Sequence, residues 1–199
     1  MKISRLLSYF FIPIYQPFFS LKQLLNEKQK LSYALVIYLF LGLLYEISVL
    51  VAYSRGLGAQ LMPFIKIPAE EYYFWQLFFQ IPVFIIIAIL YAGLSRLLAV
   101  TFHGTGSFEN LFCLICVAIT FPMFFTMWIP ESFEFFFFPG RNLFPDLFHW
   151  IRQLIGIIWP LIIVSIGLHK IESISWFASI FITLVAFIPC GVLMVLVIR

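Results

Sequence analysis

Residues 103–127 read HGTGSFENLFCLICVAITFPMFFTM, and this stretch decides the fold. It opens with a polar, glycine-rich turn and continues as a long apolar run that contains one proline, Pro122. Two long apolar segments precede it and two follow it. An apolar run of about 20 residues can cross the roughly 30 Å hydrocarbon core of a bilayer as a helix. The stretch therefore predicts the central span of a membrane protein, with the other helices gathered around it.

The composition requires a bilayer as the solvent for most of the chain. Of its 199 residues, 63% are hydrophobic and 11% are charged, and the mean hydropathy is +1.07. Soluble domains are about 45–50% apolar and about 25% charged. We therefore predict an all-α fold, a polytopic transmembrane bundle of five helices with an N-terminal interfacial amphipathic helix.

The chain divides into a cytosolic or interfacial N-terminal segment, 1–30, and a membrane domain, 31–199. Pro17 fits the first turn of the amphipathic helix, because a missing N–H costs little there. Ser107 is a plausible N-cap for the third span, with Glu109 in its first turn. The segment after that span, with its short FFFF run at 135–138, is interpreted as an interfacial or shallowly dipping loop that could dock a partner. The predicted spans are about 31–53, 74–97, 107–129, 150–168 and 174–198.

Basic residues predict the orientation of these spans. With the N-terminus inside, the inner segments hold seven Lys and Arg residues: Lys2, Arg5, Lys22, Lys28, Lys30, Arg96 and Lys170. The outer segments hold five: Arg55, Lys66, Arg141, Arg152 and Arg199. Cytoplasmic loops carry the excess of Lys and Arg, so we expect a cytoplasmic N-terminus and an outside C-terminus. The net charge of +3 comes without a Lys/Arg run, so nucleic acid is not an expected partner.

Glu46 is the most informative polar residue, because a carboxylate inside a span is expensive and often functional. Gly42 lies on the same face and permits a neighbouring helix to approach. A polar cluster in the outer half of the membrane is geometrically feasible, made of Glu46, Gln80, Arg152 and Gln153. Two interpretations stay open: a lock that ties helices together, or part of a transport pathway.

Other candidate residues carry weaker signals. His103 and Glu109 are candidates for a site at the inner mouth of the bundle, with a solvated loop pair as the alternative. Cys113 and Cys116 share a helical face, which suits either a metal or core packing; packing is preferred, since no second pair follows. We predict no metal site, no cofactor and no disulfide, and no nucleophile or metalloprotease signature appears.

Several motifs, in this order and spacing, resemble the Yip1-domain family of five-span membrane proteins over about residues 12–198. They are Pro17-Phe18-Phe19, LSYAL at 31–35, GTGSF at 104–108 with Pro122 after it, and WPLIIVSIGL at 159–168. The resemblance implies a cytosolic N-terminus and no established catalytic site. Eukaryotic relatives act in ER–Golgi traffic and bind prenylated Rab GTPases and one another. The chain lacks their long N-terminal region with its Leu-Tyr-Gly-Pro-type motif, and it is more similar to short prokaryotic members.

Two functions follow as expectations. The first is a non-enzymatic scaffold, or an assembly or trafficking factor, in a prokaryotic cytoplasmic membrane. Its partners would be the lipid bilayer and other membrane proteins, or further copies of itself. The alternative is a small transporter, channel or lipid-handling protein that uses the Glu46 cluster. An intramembrane enzyme is not favoured, because no converging nucleophile and base can be placed.

Overall fold

The structure, a computed structural model, describes Tyr9 and residues 17–57, 67–138 and 145–197. Within these ranges the chain is helical. The elements are α1 (Pro17–Leu25), α2 (Lys30–Ser54), α3 (Tyr72–Thr101), α4 (Phe108–Met123), a π-helical segment (Phe124–Trp128), α5 (Ile129–Phe137), α6 (Asp146–Glu172) and α7 (Trp176–Val197). Residues 139–144 of the segment interpreted as a loop lie outside the described residues, as do five of the basic residues used for orientation: Lys2, Arg5, Lys66, Arg141 and Arg199.

Five helical stretches are long and apolar enough to cross a membrane, which confirms the predicted all-α, five-span architecture. They are Lys30–Ser54, Tyr72–Thr101, Phe108–Phe137, Asp146–Glu172 and Trp176–Val197. The third stretch comprises α4, the π-helical segment and α5 without a break. Helix α1 precedes them and packs on α2 and α4, with Leu21 and Leu24 buried.

Helix α4 lies at the centre of the bundle, as the opening stretch of sequence predicts. Every residue of 111–118 is buried, and α4 contacts α1, α2, α3 and α6. A helix that is apolar on all sides suits this position, because no side of it faces water. The outer helices instead leave apolar side chains exposed, where lipid covers them. Examples are Leu43, Ile86, Ile157 and Ile188.

The start of α4 follows the expected capping pattern. Ser107 has an extended backbone, and its Oγ accepts a hydrogen bond from the backbone N–H of Asn110 at 3.3 Å. This bond satisfies one of the amide groups that a helix start leaves without an intrahelical partner. Glu109 lies in the first turn, as predicted.

The interpretation of the segment after residue 129 as a loop is wrong. The helix passes through the π-helical segment and continues as α5 to Phe137. Pro130 lies in the first turn of α5, where proline is tolerated, and no glycine or proline follows until Pro139. Phe138 leaves the helical conformation, with φ −134° and ψ 57°, as expected for a residue before proline. The aromatic run is therefore mostly helical.

Two glycines permit close approach between spans. A Cβ on Gly42 would lie 3.0 Å from Cδ1 of Ile81, so α2 and α3 pack closely at the predicted position. A Cβ on Gly167 would lie 3.0 Å from Cγ of Leu114 and closer still to its methyl carbons. Leu114 is fully buried and has little space to move. The contact of α6 with the central helix therefore requires glycine at position 167.

Gly167→Ala tests this packing. We expect the substitution to lower the free energy of unfolding by about 1–3 kcal/mol, because overpacking forces side chains or backbone to shift. The matched control is Gly93→Ala in α3, where a Cβ meets no atom within 4 Å. The control should be neutral or slightly stabilising, since alanine is the better helix former by about 1 kcal/mol. Thermal unfolding of both variants in detergent measures the difference, and equal stabilities would contradict the packing argument.

Candidate functional site

Polar side chains gather at the two ends of the bundle. The α1 end comprises α1, the end of α3, the start of α4 and the end of α6. The α5 end comprises α5, the end of α2 and the start of α6. Each end contains an arginine–carboxylate pair with one buried member, Glu172 at the α1 end and Arg152 at the α5 end.

The four residues of that cluster do not join in one hydrogen-bonded group within the described part of the chain. Glu46 is half-buried on α2, and its Oε2 is buried without a hydrogen-bond partner. Gln80 instead accepts a bond from Gln76, one turn earlier on α3, at 2.8 Å. Arg152 bonds to groups at the α5 end, and Gln153 is half-buried beside it. Among the described residues, no hydrogen bond joins Glu46 to Gln80, Arg152 or Gln153.

Arg152 is the centre of the network at the α5 end. It is 7% exposed, and its Nη1 lies 3.0 Å from Oε1 of Glu131. Its Nη2 lies 3.1 Å from Nδ1 of His149, and Nε2 of His149 lies 3.6 Å from Oε2 of Glu134. The network thus runs Glu131–Arg152–His149–Glu134 and joins α5 to α6. The sequence signal for it was the E-x-x-E spacing at 131–134, which places both carboxylates on one face only if the segment is helical.

The π-helical segment supplies further acceptors to the same arginine. Nη1 of Arg152 donates to the carbonyl oxygens of Thr126 at 3.2 Å and Met127 at 3.4 Å. A π-helical turn interrupts the regular hydrogen-bond ladder, so its carbonyl groups can bond to side chains. The close approach of α6 depends on Gly156, where a Cβ would lie 2.6 Å from Oγ1 of Thr126.

Glu172 anchors the network at the α1 end, and sequence reasoning missed its role. Its side chain is fully buried, and its Oε2 lies 2.6 Å from Nη1 of Arg96. The same oxygen accepts a hydrogen bond from the backbone N–H of Gly106 at 2.8 Å. Nη1 of Arg96 also donates to the carbonyl oxygen of Gly104 at 3.1 Å. The last residue of α6 is thereby bonded to the end of α3 and to the turn before α4.

The glycines of the G-T-G motif are necessary for this arrangement. A Cβ on Gly104 would lie 2.5 Å from Oε2 of Glu172, and one on Gly106 would lie 2.7 Å from Oε1. Thr105 adds a backbone bond to the carbonyl oxygen of Glu172 at 3.2 Å. The motif used above as a family marker is thus a turn that encloses a buried carboxylate. We call Arg96, residues 104–106 and Glu172 the carboxylate clamp.

The two predicted inner-mouth residues have separate environments. His103 is exposed in the turn before the clamp, with a left-handed backbone at φ 61°. Glu109 lies 3.6 Å from Nζ of Lys30, and the same Nζ donates to Oδ1 of Asn110 at 2.6 Å. Lys30 therefore joins the start of α2 to the start of α4, and the structure does not bring His103 and Glu109 into contact.

A pocket of about 510 Å³ opens at the α1 end, between α1, α4 and α6. Apolar and polar residues share its lining: Leu21, Leu25, Gly167 and Ile171 on one hand, and Lys22, Asn26, Asn110 and Lys170 on the other. Its volume lies in the range of small-molecule sites, about 300–1,000 Å³. Glu46 is not among its lining residues.

The cysteines lie in the core. Cys113 and Cys116 are fully buried in α4, Cys190 is buried in α7, and each carries a free thiol. Within the described ranges no group of three or more His, Cys, Asp and Glu side chains is arranged to hold a metal ion.

Comparison with known proteins gives one match. The sequence model of a family described as "Yip1 domain" matches residues 13–198. No curated protein and no solved structure matches the chain.

A double-mutant cycle with Arg96→Gln and Glu172→Gln tests the carboxylate clamp. Removing Arg96 leaves Glu172 fully buried without its counter-charge, which typically costs about 3–5 kcal/mol, and removing Glu172 costs less because Arg96 is partly exposed. We therefore expect each single variant to unfold at a lower denaturant concentration than the wild type. The double variant should lose less unfolding free energy than the sum of the two single losses. The matched control is Lys30→Gln with Glu109→Gln, a pair whose carboxylate is 57% exposed. Its coupling should stay within about 0.2–1 kcal/mol, and a coupling as large as that of the clamp would contradict the assignment.

Arg152→Lys tests the network at the α5 end. A lysine ammonium cannot reproduce the planar fork that reaches Glu131, His149 and two carbonyl oxygens, so we expect a loss of about 1–3 kcal/mol in the free energy of unfolding. Arg55→Lys is the control, because Arg55 is exposed and contacts one described residue, Phe135, through its carbonyl oxygen and its ring, whose centroid lies 4.8 Å from Cζ. Thermal unfolding compares the two; the network would be unimportant to stability if Arg152→Lys behaved like Arg55→Lys.

Proposed function

The chain belongs to the Yip1-domain family, and from that premise we propose that this integral membrane protein is a non-enzymatic scaffold for other membrane components. In this role it assists the assembly or trafficking of its partners. The partners are other membrane proteins, or further copies of the chain, rather than nucleic acid. We place it in a prokaryotic cytoplasmic membrane, with the N-terminus in the cytoplasm and the C-terminus outside.

The use of buried charge supports a scaffold. Glu172 pairs with Arg96 at one end of the bundle, and Arg152 pairs with Glu131 at the other. Each pair links separate helices, and Glu172 is further held by the backbone of the G-T-G turn. Ion pairs in which one member is buried suit fixing the arrangement of helices, because the buried charge depends on its partner. A transporter that moves ions or protons needs ionisable groups that exchange partners along a route.

The pairing of charges at both ends of the bundle is the observation that carries the proposal, and the position of the pocket agrees with it. The pocket opens at the α1 end, and its lining comes from α1, α4 and α6. Glu46 lies on α2, toward the opposite end of that helix, and does not line it. A pathway that used Glu46 would require a cavity leading to this carboxylate. The described pocket is not such a cavity, and the ion pairs at the two ends of the bundle support a rigid scaffold.

One observation favours the second candidate, a transporter or lipid-handling protein. Oε2 of Glu46 is buried and has no hydrogen-bond partner, and an intramembrane carboxylate in that condition is expensive. A solute or an ion that entered the membrane beside α2 would supply the missing partner. The two candidates thus differ in what they require of Glu46.

Glu46→Gln separates them. For a scaffold we expect the tagged variant, extracted gently from native membranes, to remain in the same assembly as the wild type, with the same companion proteins by mass spectrometry. In proteoliposomes, neither the wild type nor Glu46→Gln should produce a pH-dependent flux of ions or solutes. Glu70→Gln is the control for charge, because Glu70 is exposed and lies before the start of α3. A flux that Glu46→Gln abolishes and Glu70→Gln preserves would establish the transport alternative, and a wild type that migrates without companions or further copies would exclude a scaffold.

A further inference from the structure

Glu46 places a hydrogen-bond acceptor inside the membrane without a donor. It lies on α2 eight residues before Ser54, so about 12 Å from the α5 end of that helix at about 1.5 Å per residue. Its Oε2 is buried and has no hydrogen-bond partner within the described part of the chain. Ser48, two residues further on, donates to the carbonyl oxygen of Leu44 at 3.3 Å instead. The carboxylate is therefore open to a donor from another molecule.

Glu46 lies at the border between the face of α2 that packs on α3 and the face that meets lipid. On a helix, the residues three and four positions away share its side. Of these, Gly42 and Val49 pack against α3, whereas Leu43 and Leu50 are 55% and 52% exposed. Glu46 is itself half-buried. A molecule in the lipid phase can therefore approach the carboxylate along this edge of α2.

The edge of α3 beside it carries exposed aromatic rings. Phe74 and Phe78 are 37% and 65% exposed, and the centroids of their rings lie 5.3 Å apart. Phe78 follows Leu77, which packs against the cluster that contains Val49, so it lies near the level of Glu46. The exposed surface along this contact is thus mainly apolar around one carboxylate. The α2–α3 surface, as we call it, comprises Leu43, Glu46, Leu50, Phe74 and Phe78.

Hydrogen-bond complementarity determines which partner fits this surface. A lipid acyl chain covers the apolar side chains but offers no donor to Oε2 of Glu46, and the headgroups lie toward the ends of the spans. Polar groups inside the membrane typically pair with one another. Between transmembrane helices, Ser, Thr, Asn and Gln side chains form such hydrogen bonds. A transmembrane helix with one of these donors satisfies the carboxylate and also covers the apolar side chains around it.

The other spans of the chain present apolar side chains at a similar distance from the α5 end. The exposed residues there include Phe78 on α3, Leu154 on α6 and Ile188 on α7. A second copy that packed these faces against the α2–α3 surface would bring apolar groups to Glu46. The lipid-facing surface of the described spans thus favours a different protein as the partner.

From these observations we propose that the α2–α3 surface binds a transmembrane helix of another membrane protein, one that carries Ser, Thr, Asn or Gln at the depth of Glu46. The donor bonds to Oε2, and the apolar side chains of the helix cover Leu43, Leu50 and Phe78. The inference rests on the scaffold role proposed above and names the surface by which the scaffold holds a partner. Glutamine at position 46 keeps an acceptor oxygen, so Glu46→Gln holds the same partner, whereas leucine offers no acceptor.

A defined membrane peptide tests the proposal with the full-length protein in lipid vesicles. The probe is a labelled polyleucine transmembrane helix with one asparagine about 12 Å from its end, and its control has leucine at that position. Energy transfer from the labelled protein to the peptide measures binding, at a peptide-to-lipid ratio low enough to prevent pairing of the peptides. We expect the asparagine peptide to bind about tenfold more tightly, since one hydrogen bond between spans contributes about that factor. Equal binding of the two peptides by the wild type would overturn the proposal.

Variants locate the binding surface. Glu46→Gln should keep the preference for the asparagine peptide, and Glu46→Leu should bind both peptides alike. Gln153→Leu is the matched control and should keep the preference, because Gln153 is half-buried at a similar distance from the α5 end but lies on α6. Thermal unfolding should show that all three variants are folded. The proposal is wrong if Glu46→Leu keeps the preference or Gln153→Leu loses it, and loss in Glu46→Gln would overturn the assignment of an uncharged donor.

A second measurement distinguishes a different protein from a second copy. Copies of the chain that carry donor or acceptor fluorophores are mixed in vesicles without peptide. Energy transfer between copies that Glu46→Leu removes and Gln153→Leu preserves would show that a second copy occupies the α2–α3 surface, and the assignment to a different protein would be wrong. Failure of the scaffold role is a separate result, because it appears as a wild type extracted without companions or further copies, whichever peptide binds.

Discussion

The carboxylate of Glu172, enclosed by the G-T-G turn and paired with Arg96, fixes one end of the bundle. A buried carboxylate is stable only when a counter-charge and hydrogen bonds replace the water it has lost. Here the guanidinium of Arg96 and the amide of Gly106 both bond to Oε2, while Oε1 has no hydrogen-bond partner. Gly104 and Gly106 have no side chains, which leaves room for the carboxylate. The end of α6 is thereby held against the end of α3 and the start of α4. The pocket depends on this, because Asn110 and Lys170 take their positions from those two helix ends.

The opposite end uses a second arginine differently. Arg152 is bonded to a carboxylate and also to two carbonyl oxygens of the π-helical segment. In hydrocarbon, backbone carbonyls that leave the regular ladder must find another donor. The guanidinium supplies it, which explains how a π-helical turn is tolerated inside a membrane span. The long third span is therefore attached to α6 by polar contacts at the α5 end. Along α4, between the two ends of the bundle, apolar packing encloses it.

The sequence predicted those features that depend on local pattern. Five spans, a buried central helix and the Ser107 cap follow from apolar runs and from residue type at a helix start, and these were confirmed. The carboxylate clamp could not be predicted, because Arg96 and Glu172 are 76 residues apart. Neither segment carries a local pattern that indicates contact with the other. The helix at 129–137 was missed for another reason: its aromatic run was judged too short to cross, although it extends an existing span. The sequence identifies Gln80 and Arg152 as polar residues within or near spans. Their partners, Gln76 and Glu131, depend on how the helices pack, which the sequence alone does not give.

Glu46 now stands in contrast to the charges at the two ends. Arg96, Arg152 and Glu172 each have partners from separate elements, and those partners are themselves held by helices or by a turn. Oε1 of Glu172 also has no hydrogen-bond partner, but the other oxygen of that carboxylate is paired with Arg96, whereas Oε2 of Glu46 is buried and no ion pair is described for this residue. Because the free-energy cost of an unpartnered group falls as it nears the headgroups, polar residues are easiest to place at the ends of spans. The described charges follow that rule with Glu46 as the exception. The partnered charges at the two ends thus hold separate helices together, and no described hydrogen bond or ion pair joins Glu46 to either network.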